Sequence, residues 1–288
     1  MKKNLLRGIV RALEISRSWM AGPTYRDLRY AVVDGQELCL DLYLPFWKSN
    51  CPLVVYFHGG GWSSGSYKDG GVSWLTGYGF AVASVQYRLS GEAQFPAQVH
   101  DVKGAIRWLR AHASEFGFDV RKVAAVGISS GGHLALMAGL AGEKWEGVVA
   151  GCLEESSQVD AIVNYFGASD FILRSQTQPS ATEPVGSIVQ KLLGSSVSEA
   201  PELARMASPV FHAEKDSPPL LIIHGAKDLQ VKVDQAYRMV DRYQELGCEV
   251  EVDILAEGGH GGMEFFNEKR RLQVADFLQR HLGSNDLA

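Results

Sequence analysis

The sequence predicts an α/β protein with a mostly parallel central sheet covered by helices on both faces. Three observations carry that prediction. Short apolar, β-branched runs recur along the chain, helical stretches fall between them, and one run leads through a glycine-flanked serine directly into a helix. Parallel strands joined by crossover helices are buried on both faces, so they read as continuous apolar runs rather than as alternating ones.

The elements follow in order. Leu5, Leu6, Ile9, Val10, Leu13 and Trp19 recur at helical spacing among basic residues, which predicts an amphipathic helix within residues 1–25. The first expectation is that it packs on the body of the protein. A lid over the site and contact with a membrane surface are the alternatives. Met1-Lys2-Lys3 opens like a secretion signal, but Arg7 and Arg11 interrupt the apolar region, so a cytoplasmic location is expected. Residues 30–44 alternate loosely around Asp34-Gly35, a hairpin-turn pair, which predicts an antiparallel start to the sheet. Continuous apolar runs at 53–57, 80–85, 123–126, 161–166 and 220–223, with a last strand at 250–255, supply the buried strands. Helices are predicted at 99–113, with Val99, Val102, Ile106 and Leu109 on one face, at 132–138, at 233–246 and at 264–282. Residues 171–213 break the pattern. They are rich in Ser, Gln, Thr, Pro and Ala and predict a cap-like excursion over the strand ends. Residues 1–288 are read as a single domain.

Composition narrows the function classes. With 46% apolar and 21% charged residues the chain has ample core-forming material. The net charge of −5 and the lack of a basic stripe argue against nucleic acid as a partner. No run of 18 apolar residues occurs, so no membrane span is expected. Cys39, Cys51, Cys152 and Cys248 are widely spaced with no C-x-x-C, which argues against a zinc site and predicts free thiols.

The chemistry concentrates at four loops. Gly127-Ile128-Ser129-Ser130-Gly131 sits between a strand and a helix, the setting in which a serine is exposed on a strained turn as a nucleophile. Such a turn needs small residues two positions on either side, a condition that Ser129 meets and Ser130 does not. His58-Gly59-Gly60-Gly61-Trp62 follows a strand, and its glycines leave N–H groups unobstructed. Gly60, Gly61 and Ser130 are therefore the expected oxyanion donors. No phosphate-binding lysine pattern accompanies this loop. Trp62 beside it is expected to line the substrate site, with a core position as the alternative. His58 is expected to anchor the loop. Among eight histidines, His260 stands in a glycine-rich turn after the last strand and is the expected base. His224, at a strand end, reads as a buried structural group. Asp228, just past a strand, is the expected acid. Asp170 is its rival, while Asp253 and Asp101 read as structural.

Together these segments resemble the α/β-hydrolase esterases of the hormone-sensitive-lipase-like group, especially the bacterial acetyl esterase and acetylxylan/feruloyl esterase branch. The resemblance rests on residues 58–62, Gln86-Tyr87-Arg88-Leu89-Ser90, Phe95-Pro96-Ala97-Gln98 and residues 101–109. It continues through Phe118-Asp119, residues 127–134, Tyr165-Phe166-Gly167, Ala207-Ser208-Pro209, His224-Gly225 with Asp228, and Gly259-His260-Gly261. The order Ser129, Asp228, His260 is the one expected of that fold. The resemblance implies a serine carboxylic ester hydrolase for short acyl esters, acetyl or feruloyl, of sugars or small alcohols. It implies no cofactor or metal, and a small-molecule or saccharide ester as partner; a homodimer is left open. Ile128 and Ser130 depart from the acidic residue and alanine usual in the lipase-like pattern, which leans toward the polysaccharide-ester branch. The alternatives are an amide or formamide hydrolase, such as a kynurenine formamidase or an oligopeptidase-like peptidase, and a non-catalytic ligand-binding protein on the same fold.

Overall fold

A computed structural model describes residues 22–142 and 145–283. They form one eight-stranded sheet: β1 (Tyr25–Val33), β2 (Gln36–Tyr43), β3 (Pro52–Phe57), β4 (Ala81–Val85), β5 (Asp119–Ile128), β6 (Ala161–Tyr165), β7 (Leu220–Gly225) and β8 (Val250–Leu255). The spatial order is β1-β2-β4-β3-β5-β6-β7-β8. β2 runs antiparallel to both neighbours, and every other pairing is parallel. This is the α/β-hydrolase arrangement that the sequence implied. The β1–β2 hairpin turns at Asp34 and Gly35, with φ of 52° and 83°. Two successive left-handed residues match the twist of the flanking strands.

β3, β4, β6 and β7 are buried at every residue, because helices cover both faces of the sheet. Alternate residues of one strand therefore feed two cores. Leu53, Val55 and Phe57 of β3 join one core with α1 (Ala97–Ala111), α3 (Ser130–Leu140) and α7 (Asp234–Leu246). Val54 and Tyr56 join the other with Val274, Phe277 and Leu278 of α8 (Glu268–Leu282).

Two helices differ in their bounds from what the apolar periodicity suggests. The stretch 99–113 becomes α1 and a separate turn, α2 (Ala113–Phe116), interrupted at His112. The last helix starts at Glu268 rather than Glu264, because Asn267 is extended and its side chain accepts a hydrogen bond from the Arg270 N–H. That cap leaves Met263–Phe266 as a separate 3₁₀ turn. Of the predicted N-terminal helix, residues 1–21 lie outside the described residues, and Tyr25 already opens β1. The excursion at 171–213 consists of short helices, α4 (Phe171–Thr177), α5 (Ile188–Leu193) and α6 (Pro201–Met206), joined by turns.

The connection from β4 to α1 is held by a buried ion pair. Asp101 accepts two parallel bonds from Arg88, Nη2 to Oδ1 at 2.7 Å and Nε to Oδ2 at 2.9 Å, and a third from the Arg88 N–H. Its side chain has no exposed surface. Replacing one partner strands the other charge, so Asp101→Asn is expected to destabilise the fold by about 3 kcal/mol. Urea unfolding of the two proteins checks this, and a loss well below about 1 kcal/mol contradicts it.

Candidate active site

Four loops converge at the C-terminal ends of β3, β5, β7 and β8, the edge where sites assemble in open parallel sheets. After β5, Ser129 adopts φ 55° and ψ −117°, and Ser130 opens α3. A non-glycine residue at positive φ is strained and persists only where its surroundings determine it. The determinants here are steric and hydrogen-bonded. A Cβ on Gly127 would lie 1.9 Å from the Gly131 carbonyl oxygen, and one on Gly131 would lie 2.0 Å from that of Phe57. Neither position admits another side chain. The Ser129 N–H donates to Tyr165 O at 2.8 Å, and its carbonyl accepts from the His133 N–H at 3.1 Å.

Ser129, His260 and Asp228 meet in one line. Ser129 Oγ lies 2.8 Å from His260 Nε2, and His260 Nδ1 lies 2.6 Å from Asp228 Oδ2. Burial pushes the Asp228 carboxyl up, but hydrogen bonds from His224, His260 and the Val231 N–H outweigh it and hold the group well below the usual carboxylate range. An ionised Asp228 can only accept. Nδ1 of His260 therefore carries the hydrogen, and Nε2 is free to accept from the Ser129 hydroxyl. Oδ1 of Asp228 accepts from the N–H groups of Gln230 and Val231 at 2.8 and 2.9 Å. The loops bearing Asp228 and His260 are joined backbone to backbone. The Lys227 N–H donates to Gly258 O at 2.9 Å, and a Cβ on Gly225 would meet the Gly259 carbonyl oxygen at 2.3 Å.

The glycine loop leaves β3 at Phe57. A Cβ on Gly59 would stand 3.5 Å from Ser129 Cβ, so the loop passes directly over the serine turn. Gly60 and Gly61 have φ of 121° and 59°. The N–H groups of Gly60, Gly61 and Ser130 donate to no other described residue. His58 anchors the loop as expected: it is buried, its Nδ1 donates to Gly59 O at 2.7 Å, and its ring stacks on Tyr87 at 4.4 Å. The Tyr87 hydroxyl donates to His58 O at 2.9 Å.

Trp62 requires a correction. It was expected to line the substrate site, yet only 2% of its surface is exposed. Its indole turns inward against His133 and Phe171 and belongs to the core. The backbone at Trp62 is left-handed, with φ of 56°. The rival acid, Asp170, is engaged elsewhere. Its Oδ1 caps α4 by accepting from the Leu173 N–H, and its Oδ2 pairs with Arg238 Nε at 3.2 Å. Asp253 pairs with Arg270. Among the described residues no group of His, Cys, Asp or Glu side chains could hold a metal ion, and no helix is long and apolar enough to cross a membrane.

His224 is buried at the end of β7, as its sequence position predicts, and Phe166 and Gly65 support the site through contacts that the sequence does not show. The Phe166 ring meets the His260 imidazole edge to face at 4.8 Å and limits its rotation. His224 Nε2 donates to Val231 O at 2.8 Å and lies 3.4 Å from Asp228 Oδ2, so it steadies the acid loop. Gly65 is required because a Cβ there would meet Gly59 O at 2.2 Å. No linear motif marks these contacts: Phe166 and His260 lie far apart in the chain, and the loops at 224–231 and 59–65 close on themselves only once folded.

His133, four residues after Ser129, is wholly buried, which holds its imidazole down to about 4. The unfolded chain therefore takes up this proton first. The associated stability is complete above about pH 6.5 and is lost as pH falls toward 4. His133→Gln is expected to flatten the stability profile over that window. Denaturant midpoints measured from pH 7 to pH 4 check this, and parallel profiles for the two proteins contradict it.

Comparison with known proteins agrees with this architecture. Residues 40–243 match the BD-FAE family. The chain is 32% identical over 214 residues to Esterase LipC of Mycobacterium tuberculosis, covering 73% of this chain and 53% of that protein. It spans about half the length of the curated relatives it matches. A solved structure described as a truncated form of carbohydrate esterase from gut microbiota has a TM-score of 0.83 at 27% identity, covering 92% of this chain and 100% of that one. A propionate-bound thermophilic esterase from the Planctomycetes species Thermogutta terrifontis has a TM-score of 0.69 at 27% identity, covering 88% and 93%. With more than half of its length matched by one family and its fold shared with these structures, the chain belongs to the BD-FAE family of α/β-hydrolase esterases.

Proposed function

We propose that this protein is a serine carboxylesterase that releases short acyl groups from esters of sugars or small alcohols. One observation carries the reading: an unbroken hydrogen-bonded line from Ser129 Oγ through His260 to a buried, ionised Asp228, set on a strained turn. In this reading His260 Nε2 takes the hydroxyl proton as Ser129 Oγ bonds to the ester carbonyl carbon. Charge develops on the carbonyl oxygen, and the N–H groups of Gly60, Gly61 and Ser130 receive it. His260 then gives its proton to the alcohol oxygen as the ester C–O bond breaks. A water, deprotonated by the same imidazole, releases the acid from the acyl-enzyme. Asp228 holds the imidazole in the required tautomer and stabilises its cation.

Two features support the substrate class. Ile188 of α5 packs against the glycine loop, where a Cβ on Gly61 would meet its Cδ1 at 2.1 Å, which leaves little room for a long acyl chain. Beside that loop a groove of about 480 Å³, whose lining includes none of Ser129, Asp228 and His260, is formed by Ser63, Ser90, Gln94, Gln190 and Lys191 among others. Hydroxyl and amide side chains suit a polyhydroxylated alcohol better than a lipid. The similar gut-microbiota structure is likewise described as a carbohydrate esterase.

The triad is tested by substitution. Ser129→Ala and His260→Ala are each expected to lower kcat by roughly a millionfold while the circular dichroism spectrum is retained. Asp228→Asn is expected to cost about ten-thousandfold through the wrong imidazole tautomer. A near-normal Asp228→Asn enzyme removes Asp228 from this role. Substrate class is tested with p-nitrophenyl esters from acetate to palmitate, alongside acetylated sugars, methyl ferulate and N-formylkynurenine. The highest kcat/KM is expected on acetate or propionate. A maximum on palmitate, or turnover of the formamide alone, sinks the proposal.

A further inference from the structure

We infer that Trp62 is a positioning residue whose indole, hydrogen-bonded to His133, holds the glycine loop in the turn that presents the Gly60 and Gly61 N–H groups. The inference rests on the reading proposed above, in which those groups receive the charge that develops on the ester carbonyl oxygen.

The backbone poses the question. Gly60, Gly61 and Trp62 take φ values of 121°, 59° and 56° in succession. Glycine adopts such values freely, but a bulky residue does so only at a cost and only where its surroundings over-determine it. A glycine at position 62 would relieve that strain. The presence of tryptophan there means that the side chain does something the turn requires.

The surroundings identify what that is. The indole Nε1–H donates to His133 Nδ1 at 3.2 Å, and the two rings meet edge to face at 5.1 Å and 89°. Phe171 of α4 closes the other side at 5.7 Å. His133 Nε2 lies 2.8 Å from Ala207 O, an atom that can only accept. The hydrogen is therefore on Nε2, which leaves Nδ1 as the acceptor that the indole needs. The Trp62 carbonyl accepts from the Ser90 N–H at 2.7 Å. The indole N–H and the carbonyl of Trp62 are thus each held by a hydrogen bond.

His133 lies on the helix that Ser130 opens, and its own N–H bonds to Ser129 O. The bridge therefore fixes the glycine loop relative to the helix carrying the third N–H donor and the nucleophile. His58 and Tyr87 secure the loop where it enters, and Trp62 secures it where it leaves. Because the indole is buried, it cannot bind substrate directly. Its effect falls on the placement of donors that matter most once charge has developed, and so on kcat rather than KM.

Trp62→Phe keeps an aromatic body in the core and removes the N–H. His133→Phe removes the acceptor, while His133→Gln retains an acceptor and a donor. Steady-state rates on p-nitrophenyl acetate, normalised to active sites counted with a phosphonate, exclude unfolded protein from the comparison. Trp62→Phe is expected to lower kcat roughly ten- to a hundredfold with KM within about twofold. The inhibition constant of an acetyl-mimicking trifluoromethyl ketone, whose adduct carries the oxyanion, should weaken in the same proportion as kcat/KM. The Trp62→Phe/His133→Phe double variant should lose no more than the worse single variant, and His133→Gln should recover part of the rate. A normalised kcat within twofold of the parent overturns the inference, as does a loss confined to KM or losses that multiply in the double variant. Turnover that survives Ser129→Ala overturns the esterase reading and this inference with it.

Discussion

The close passage of backbone over backbone at the serine turn is the constraint on which the rest depends. Gly127 faces the Gly131 carbonyl and Gly131 faces that of Phe57, at separations that exclude any Cβ. Those contacts bring the ends of β3 and β5 and the start of α3 into one place. They also hold Ser129 in a conformation that its own φ and ψ disfavour. Every other part of the site is built outward from that crossing. The glycine loop leaves β3 over it, and the Tyr165 carbonyl at the end of β6 holds the Ser129 N–H beneath it. The imidazole of His260 reaches it from beyond β8.

Around this point two buried titratable groups are held in opposite states by the same physics. Burial disfavours charge at both Asp228 and His133. Asp228 nevertheless stays ionised because His224, His260 and two backbone N–H groups all aim donors at it. His133 stays neutral because its complete burial, helped by the nearby Arg174 and His212, outweighs the hydrogen bond to Ala207 O that favours its charged form. The first arrangement orients the imidazole beside the serine. The second joins loop, helix and excursion without introducing a charge. Hydrogen bonds outweigh burial at Asp228, whereas burial outweighs the hydrogen bond at His133.

The excursion between β6 and β7 contributes through the same contacts. Phe171 packs on Trp62 and His133, Ala207 accepts from His133, and Ile188 rests on Gly61. These residues come from three separated parts of a stretch with no regular pattern in its sequence. Its short helices act as a clamp on the glycine loop as well as a wall beside the serine.

The fold class, most strand positions, the hairpin at Asp34-Gly35 and the loops bearing Ser129, Asp228 and His260 were legible in the chain alone. Each depends on local rules: apolar runs for doubly buried strands, paired left-handed residues for a tight hairpin, and glycines where backbones must cross. The helix start at Glu268 was missed because one side chain, Asn267, outweighed the apolar periodicity on either side of it. Trp62 was misread because its neighbours in sequence are site residues while its neighbours in space are His133 and Phe171. The engagement of Asp170 with Leu173 and Arg238, and the edge of Phe166 on His260, were equally invisible. Sequence determines which residues can supply a nucleophile, a base, an acid and free N–H groups, because those capacities are properties of single residues and short turns. Only tertiary structure decides which of them meet and which are claimed by the core, because hydrogen bonds and packing act over a few ångströms between segments as far apart as Ser129 and His260.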